Sequence, residues 1–270
     1  SGLSIEPGKQ YKIYFEVVDN DGIRGGKVTQ SATFDAFLFD SNQLNNKELE
    51  FQNATLNKMG ETLKTLQEQK EELSEINKLQ KEEKALNFEE KSQIKNFLQK
   101  QQRQEELMHK FSQDLKESID KKEEDSEMKR MIQERLERQE AEAEKNAKLL
   151  EELEKIAEKI DKEELQQRLE ELGKNQGKNT RNLEQILELT KRYYVTEKAS
   201  QIAKELDELS KKQDTLSELK LGQDFSDKDQ QKLNEEFEGL EKEIRELEKD
   251  NSELKKPLEL DTDKKKTDGI

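Results

Sequence analysis

The chain has 270 residues, of which 42% are charged, 29% hydrophobic and 5% aromatic, with a formal net charge of −15. So little apolar material argues against one large globular core, and the acidic balance argues against a nucleic-acid or anionic-membrane partner, since both need a basic face. The absence of cysteine excludes disulfides, thiolate chemistry and Cys-ligated zinc. What makes a fold possible is spacing: leucine and isoleucine fall at helical intervals, so a small apolar content still forms continuous stripes. No apolar run approaches the roughly 18–20 residues of a membrane span, and no signal peptide is present. The chain opens Ser1-Gly2-Leu3 without an initiator Met, as expected of a piece of a longer protein whose membrane anchors lie outside this window.

Residues 1–40 differ from everything after them. Tyr11, Ile13, Phe15 and Val17 alternate with Lys12, Tyr14, Glu16 and Val18, the period-two pattern of a strand. Asp19-Asn20-Asp21-Gly22 and Gly25-Gly26 supply a turn, and Lys27 to Phe34 returns as a second β-rich run. The expectation is a β-hairpin. A lone hairpin is marginal in water, so it either packs on the helices or needs further strands. Asp40, Ser41 or Asn42 then caps a first long helix, expected over 44–84 and on the order of 60 Å long. Leu56, Met59, Leu63, Leu66 and Leu73 hold its a/d spacing, with Lys70 at one a position.

Asn87-Phe88-Glu89-Glu90 reads as a capping box and opens a helix over 88–120. Ile94, Phe97, Leu98, Met108, Phe111, Leu115 and Ile119 lie on one face, interrupted by the glutamine-rich turn Gln99 to Gln104. Asp120 to Asp125 is almost wholly charged and fits a loop or a continuous helix equally. The next helix, 127–160, carries Ile132, Leu136, Leu150 and Leu153, but Gln139, Ala143 and Asn146 make its middle thin and polar. Asp161-Lys162-Glu163-Glu164 is a second capping-box pattern. It predicts a short helix over 162–172, with Leu165, Leu169 and Leu172, which Gly173 ends as a C′ glycine. Lys174 to Lys178 is expected to be a polar loop.

The richest apolar helix is predicted over 180–219. Leu183, Ile186, Leu187, Tyr193, Tyr194 and Val195 make it wide on one side; Ala199, Ile202, Leu206, Leu209 and Leu216 narrow it to a two-helix seam. Those six residues are therefore the predicted helix-packing centre of a bundle. The 88–120 helix with Phe97 and Phe111, and the helix from 132 to 160, are the expected neighbours. Gly222 marks a loop and Ser226 an N-cap. A last helix over 227–256 carries Leu233, Phe237, Leu240, Ile244, Leu247, Asn251 and Leu254 and stops at Pro257, which has no amide hydrogen. Leu254 is expected near a frayed end. The organisation is thus 1–40, a terminal β-hairpin; 41–258, a long-helix coiled-coil or bundle region; and 259–270, a polar, disordered tail. The fold class is mainly α, an elongated antiparallel bundle of helical hairpins preceded by a short β-hairpin.

Two segments resemble a known family. One is Asn87-Phe88-Glu89-Glu90-Lys91 with the Gln/Leu-rich helix after it. The other is Thr180 to Lys198, with Gln185-Ile186-Leu187-Glu188-Leu189-Thr190-Lys191-Arg192-Tyr193-Tyr194-Val195. Together they resemble membrane-anchored envelope proteins of unknown function from Bacteroidetes, in which immunoglobulin-like repeats precede a long Gln/Glu/Lys-rich helical region. The Tyr-x-Ile-x-Phe-x-Val strand running into Asp-Asn-Asp-Gly is similar to the final two strands of a bacterial immunoglobulin-like sandwich. The resemblance covers roughly residues 10–260. It implies a location on the periplasmic side of the inner membrane and brings no catalytic residues.

No reactive constellation appears. His109 stands alone beside Met108 and Lys110, without the partner that catalytic or metal-binding histidine needs. Val17-x-Asp19-x-Asp21-Gly22 has valine where a calcium loop needs its first and twelfth ligands, Val17 and Val28, and reads as an Asx-stabilised turn. Glutamate pairs such as Glu105-Glu106 and Glu151-Glu152 are expected on solvated faces, offset by lysine. Asn146 and Asn251 occupy seam positions, where a polar residue can fix register or simply face solvent. No catalytic residue, cofactor or metal is assigned. The expected function is a non-enzymatic spacer or docking scaffold of a membrane-anchored envelope protein, with protein partners or self-association through its helix seams. The alternative is a cytosolic coiled-coil adaptor that binds a partner helix.

Overall fold

A computed structural model describes residues 4–19, 27–82, 87–121, 126–159, 162–218 and 227–260. Several features of the sequence lie outside the described residues: the turn residues Asn20 to Gly22 and Gly25-Gly26, the charged run 122–125, Asp161, Gly222, Ser226 and the tail 261–270. The chain divides into two compact units, Ser1–Glu50 and Phe51–Ile270.

The first unit is built on a hairpin of four short strands, β1 (Lys9–Ile13), β2 (Glu16–Val18), β3 (Val28–Gln30) and β4 (Phe34–Leu38). β1 pairs antiparallel with β4, and β2 with β3. Ile13 faces Phe34, whereas Phe15 exchanges hydrogen bonds with Ser31: the Ser31 amide donates to the Phe15 carbonyl at 2.8 Å, and Ser31 Oγ accepts from the Phe15 amide at 2.9 Å. Tyr14 alone therefore faces two residues, Ala32 and Thr33, which is a β-bulge, a device that bends and twists a ribbon. The return arm is longer than its composition suggested, reaching Leu38 rather than Phe34. The register gathers Tyr11, Ile13, Phe15 and Val17 with Phe34, Ala36 and Leu38 on one face. That face is uncovered: Ile13 is 46% exposed, Phe34 55%, Phe15 68% and Val17 69%.

Helix α1 (Ser41–Glu82) starts in a reciprocal cap. Asp40 Oδ1 accepts from the Gln43 amide at 2.8 Å, and Gln43 Oε1 accepts from the Asp40 amide at 3.1 Å. Of the three candidate caps, Asp40 thus has the one partner three residues on that closes the box.

In the second unit, α1 from Phe51 onward is followed by α2 (Phe88–Asp120), α3 (Glu127–Lys159), α4 (Lys162–Glu218) and α5 (Asp227–Ser252). Asn87 caps α2 as a full capping box, with bonds of 2.9 and 2.8 Å between it and Glu90. Ser126 Oγ accepts from the Lys129 amide at 3.1 Å and caps α3. α2 and α3 run antiparallel, with Gln133 bonded to Asp120 and Asn146 to Glu105; whether 122–125 is loop or helix lies outside the described residues. The antiparallel order runs throughout: on α4 and α5, Lys191 meets Glu253, Lys198 meets Glu246 and Lys212 meets Glu236.

Among the described residues, two apolar layers join the first four helices. One joins Leu73 and Ile76 of α1, Ile94, Phe97 and Leu98 of α2, Leu149, Leu150 and Leu153 of α3, and Leu165, Leu169 and Leu172 of α4. The other joins Met59 and Leu66, Met108, Leu115 and Ile119, Ile132 and Leu136, and Leu183, Ile186 and Tyr193 from the same four helices. Beyond Tyr193, α4 narrows to a seam with α5 through Leu209, Leu216, Leu233 and Leu240.

The largest departure from expectation is in α4. A short helix ending at Gly173, a loop over 174–178 and a new helix at 180 were expected. The structure instead has one helix of 57 residues, on the order of 85 Å long. Gly173 is no cap: a Cβ built there would lie 3.3 Å from Leu73 Cδ2, so the glycine lets α1 approach α4. Gln176 of the expected loop, and Asn179 and Thr180 at the expected start of the next helix, are all buried. On α1, too, Gln69 is buried and Lys70 exposed, so the seam runs Leu66, Gln69, Leu73, Ile76.

Candidate functional site

Between the two apolar layers lies a belt of buried polar side chains. Gln69 of α1 is at its level. α2 contributes Gln101 and Gln104, with the half-buried Glu105 beside them, α3 contributes Gln139 and Asn146, and α4 contributes Gln176, Asn179 and Thr180. The α2 residues continue the helix's own stripe, since Leu98, Gln101, Glu105, Met108, Ser112 and Leu115 alternate by three and four. Gln176 Nε2 donates to Gln101 Oε1 at 2.6 Å, and Asn182 Nδ2 donates to Gln139 Oε1 at 2.8 Å. Glu105 Oε1 accepts from Asn146 Nδ2 at 2.8 Å and from Asn179 Nδ2 at 3.4 Å, so one carboxylate joins α2, α3 and α4.

The belt is incompletely paired within the protein. Glu105 Oε2, Asn146 Oδ1, Asn179 Oδ1 and Gln176 Oε1 are buried without a hydrogen-bond partner. Burial pushes the Glu105 carboxyl up to about 7, against the two amide hydrogen bonds that pull it down. A cleft of about 520 Å³ between α2 and α3 opens beside it, with Ala143 and Ala147 leaving room and Glu106, His109 and Glu144 at its walls. Glu105 is thus half-buried, a correction to the solvated face expected of it, whereas Glu106 is exposed as expected. The 3–4 spacing that carries the apolar stripe was the signal that could have placed it inside. His109 is exposed. Among the described residues no group of three or more His, Cys, Asp or Glu is arranged to hold a metal ion. Chemically, the belt offers one carboxyl and a set of amides that bond across α2, α3 and α4.

The predicted helix-packing centre is divided. Leu183, Ile186 and Tyr193 are buried in the second apolar layer, with Leu187 packed against it at partial exposure. Phe111 joins that layer, whereas Phe97 lies in the other one. Tyr194 and Val195 are buried as well, but Tyr194 turns to α1, where its hydroxyl accepts from Asn53 Nδ2 at 3.4 Å. Lys198, one turn on, reaches Glu246 at 3.4 Å and Asp250 at 3.7 Å on α5, with its ammonium 5.8 Å from the Tyr194 ring centroid. Burial pushes the Asp250 carboxyl up, and Lys198 holds it back.

The end of α5 is not frayed. The helix ends at Ser252, before the expected 256, and the chain beyond it is tied to α4. Asn251 accepts from the Leu258 amide at 2.7 Å and donates to the Leu258 carbonyl at 2.9 Å. Glu188 accepts from the Lys255 amide at 2.9 Å, and Arg192 donates to the Lys256 carbonyl at 2.9 Å. Leu254 is only 4% exposed, a correction to its expected place at a loose end. Asn251 acts as a clamp on the following turn, a role that its seam position alone does not reveal. No protein-family model, curated protein or solved structure matches the chain.

Proposed function

We propose that the chain is a non-enzymatic scaffold region of a membrane-anchored cell-envelope protein, serving as a spacer and protein-docking element on the periplasmic side. The observation that supports this best is the polar belt. A buried polar layer gives up stability relative to an apolar one, but it accepts only one alignment of its helices. A protein whose task is to hold fixed geometry gains from that exchange. The clamped end of α5 supports the same reading, since it ties the chain beyond the helix back to α4. The uncovered apolar face of the hairpin supports its reading as the last strands of an immunoglobulin-like sandwich, in which such a face is the inner one.

Fractionation of the native host and protease treatment test the proposal together. The expected result is that the protein sediments with membranes and is digested after the outer membrane is opened, but not in intact cells. Recovery in the soluble cytosolic fraction overturns it and favours the partner-helix adaptor.

A further inference from the structure

Glu105 is the acidic member of a layer otherwise made of amides and a hydroxyl. Its Oε1 is held by amides from α3 and α4, while its Oε2 is buried with no donor. The oxygens of those same two amides, Asn146 Oδ1 and Asn179 Oδ1, also lack a donor, as does Gln176 Oε1. Around Glu105 itself, among its own oxygens and those of the two amides bonded to it, every atom left over is an acceptor, whereas Gln101 Nε2, Gln104 Nε2 and Gln139 Nε2 are unpartnered donors elsewhere in the belt. A single hydrogen on Oε2 turns one of the acceptors into a donor and can satisfy a second. No basic side chain pairs with Glu105 among the described residues. The titratable groups that line the cleft with it are Glu106 and His109 of its own helix and Glu144 and Glu151 of α3. What α4 presents is the uncharged pair Asn179 and Gln176, and α1 contributes the uncharged Gln69 at this level. Three of these four neighbours are carboxylates, which disfavour a further negative charge.

We infer that Glu105 is a proton-binding site of the four-helix region: its carboxyl takes up a proton and donates it from Oε2 to an amide oxygen of the belt, holding α2, α3 and α4 together more tightly in mild acid than in mild base. The open cleft between α2 and α3 gives the proton a path from solvent. Burial, which raises this carboxyl toward neutrality, agrees with the geometry.

Carbon-13 NMR of the side-chain carboxyls in the wild-type chain, assigned through bonded connectivity, reads the site directly. Glu105 is expected to titrate more than about one pH unit above the exposed glutamates. Co-titration with them overturns the inference. Urea unfolding between about pH 5.5 and 8.5 reads the consequence. The wild-type midpoint is expected to fall as pH rises, and that of Glu105→Gln to stay level, because glutamine keeps a donor at either pH. His109→Gln separates the histidine in the same cleft: its midpoint is expected to fall like the wild type. A pH dependence that survives in Glu105→Gln, or one that disappears in His109→Gln, overturns the assignment. If Glu105→Gln does not fold, the wild-type carboxyl titration still decides.

Discussion

At the scale of single residues, Glu105 converts geometry into a signed expectation. Its folded value is raised from 4.5 to about 7, so the folded state binds the proton more tightly than the unfolded chain does. The stabilisation is fully present below the unfolded value and is lost as pH rises through the folded one. At alkaline pH the loss relative to acid is on the order of 3 kcal/mol. Tyr193 and Leu254 test packing in the same way. Tyr193 lies in a four-helix layer, and its truncation to Ala should cost about 3–5 kcal/mol. Leu254 is buried by the turn after α5, so Leu254→Ala should cost about 2–5 kcal/mol rather than the small loss expected of a loose end. Urea melts of the two variants check both values. A Leu254→Ala midpoint equal to wild type would show that the clamp by Asn251 does not hold in solution.

At the scale of elements, most helices were legible because their stripes and caps agree. Asn87 with Glu90, and Asp40 with its neighbours, mark starts that the hydrogen bonds close. The break in the middle of α4 was misread for a physical reason. Gly-Lys-Asn-Gln-Gly-Lys is the composition of a loop when its surroundings are unknown, because amides and glycines satisfy turns. Here the amide nitrogens of Gln176 and Asn179 donate across helices, to Gln101 and Glu105 of α2, more than 70 residues away in sequence. A pattern read along one helix cannot show that three polar stretches, on α2, α3 and α4, lie at one level. Two glycines give a direct check on α4. Nothing lies within 4 Å of a Cβ built at Gly177, so Gly177→Ala should stabilise the chain by about 0.5–1 kcal/mol through helix propensity. In a left-handed turn the same change destabilises. Gly173→Val meets Leu73 in a packed layer and should destabilise by about 1–3 kcal/mol. Thermal melts that show Gly177→Ala less stable than wild type would restore the loop.

At the scale of the whole molecule, the helical unit has an uneven distribution of burial, and this predicts an order of opening. From Leu165 to Tyr193, α4 is covered by α1, α2 and α3, with an apolar layer at each end of the belt. From Leu206 to Leu216 its apolar contacts are with α5, through a seam of Leu209, Leu216, Leu233 and Leu240 with Leu206 and Phe237 at its margin. Apolar burial is the main term opposing chain entropy, so a segment with one neighbour opens at lower free energy than one with three. α4 is nevertheless a single helix from Lys162 to Glu218. Native-state hydrogen exchange separates the two effects. Amides near Leu183 and Ile186 should exchange only through global unfolding, with the full dependence on urea. Amides near Leu209 and Leu216, and those of α5 near Leu233, should exchange through a smaller opening with a weaker urea dependence. Leu240→Ala should speed exchange across the α4–α5 seam and leave the four-helix segment unchanged. Equal protection along all of α4 would mean that the helix unfolds as one cooperative body and that the count of neighbours does not set its local stability.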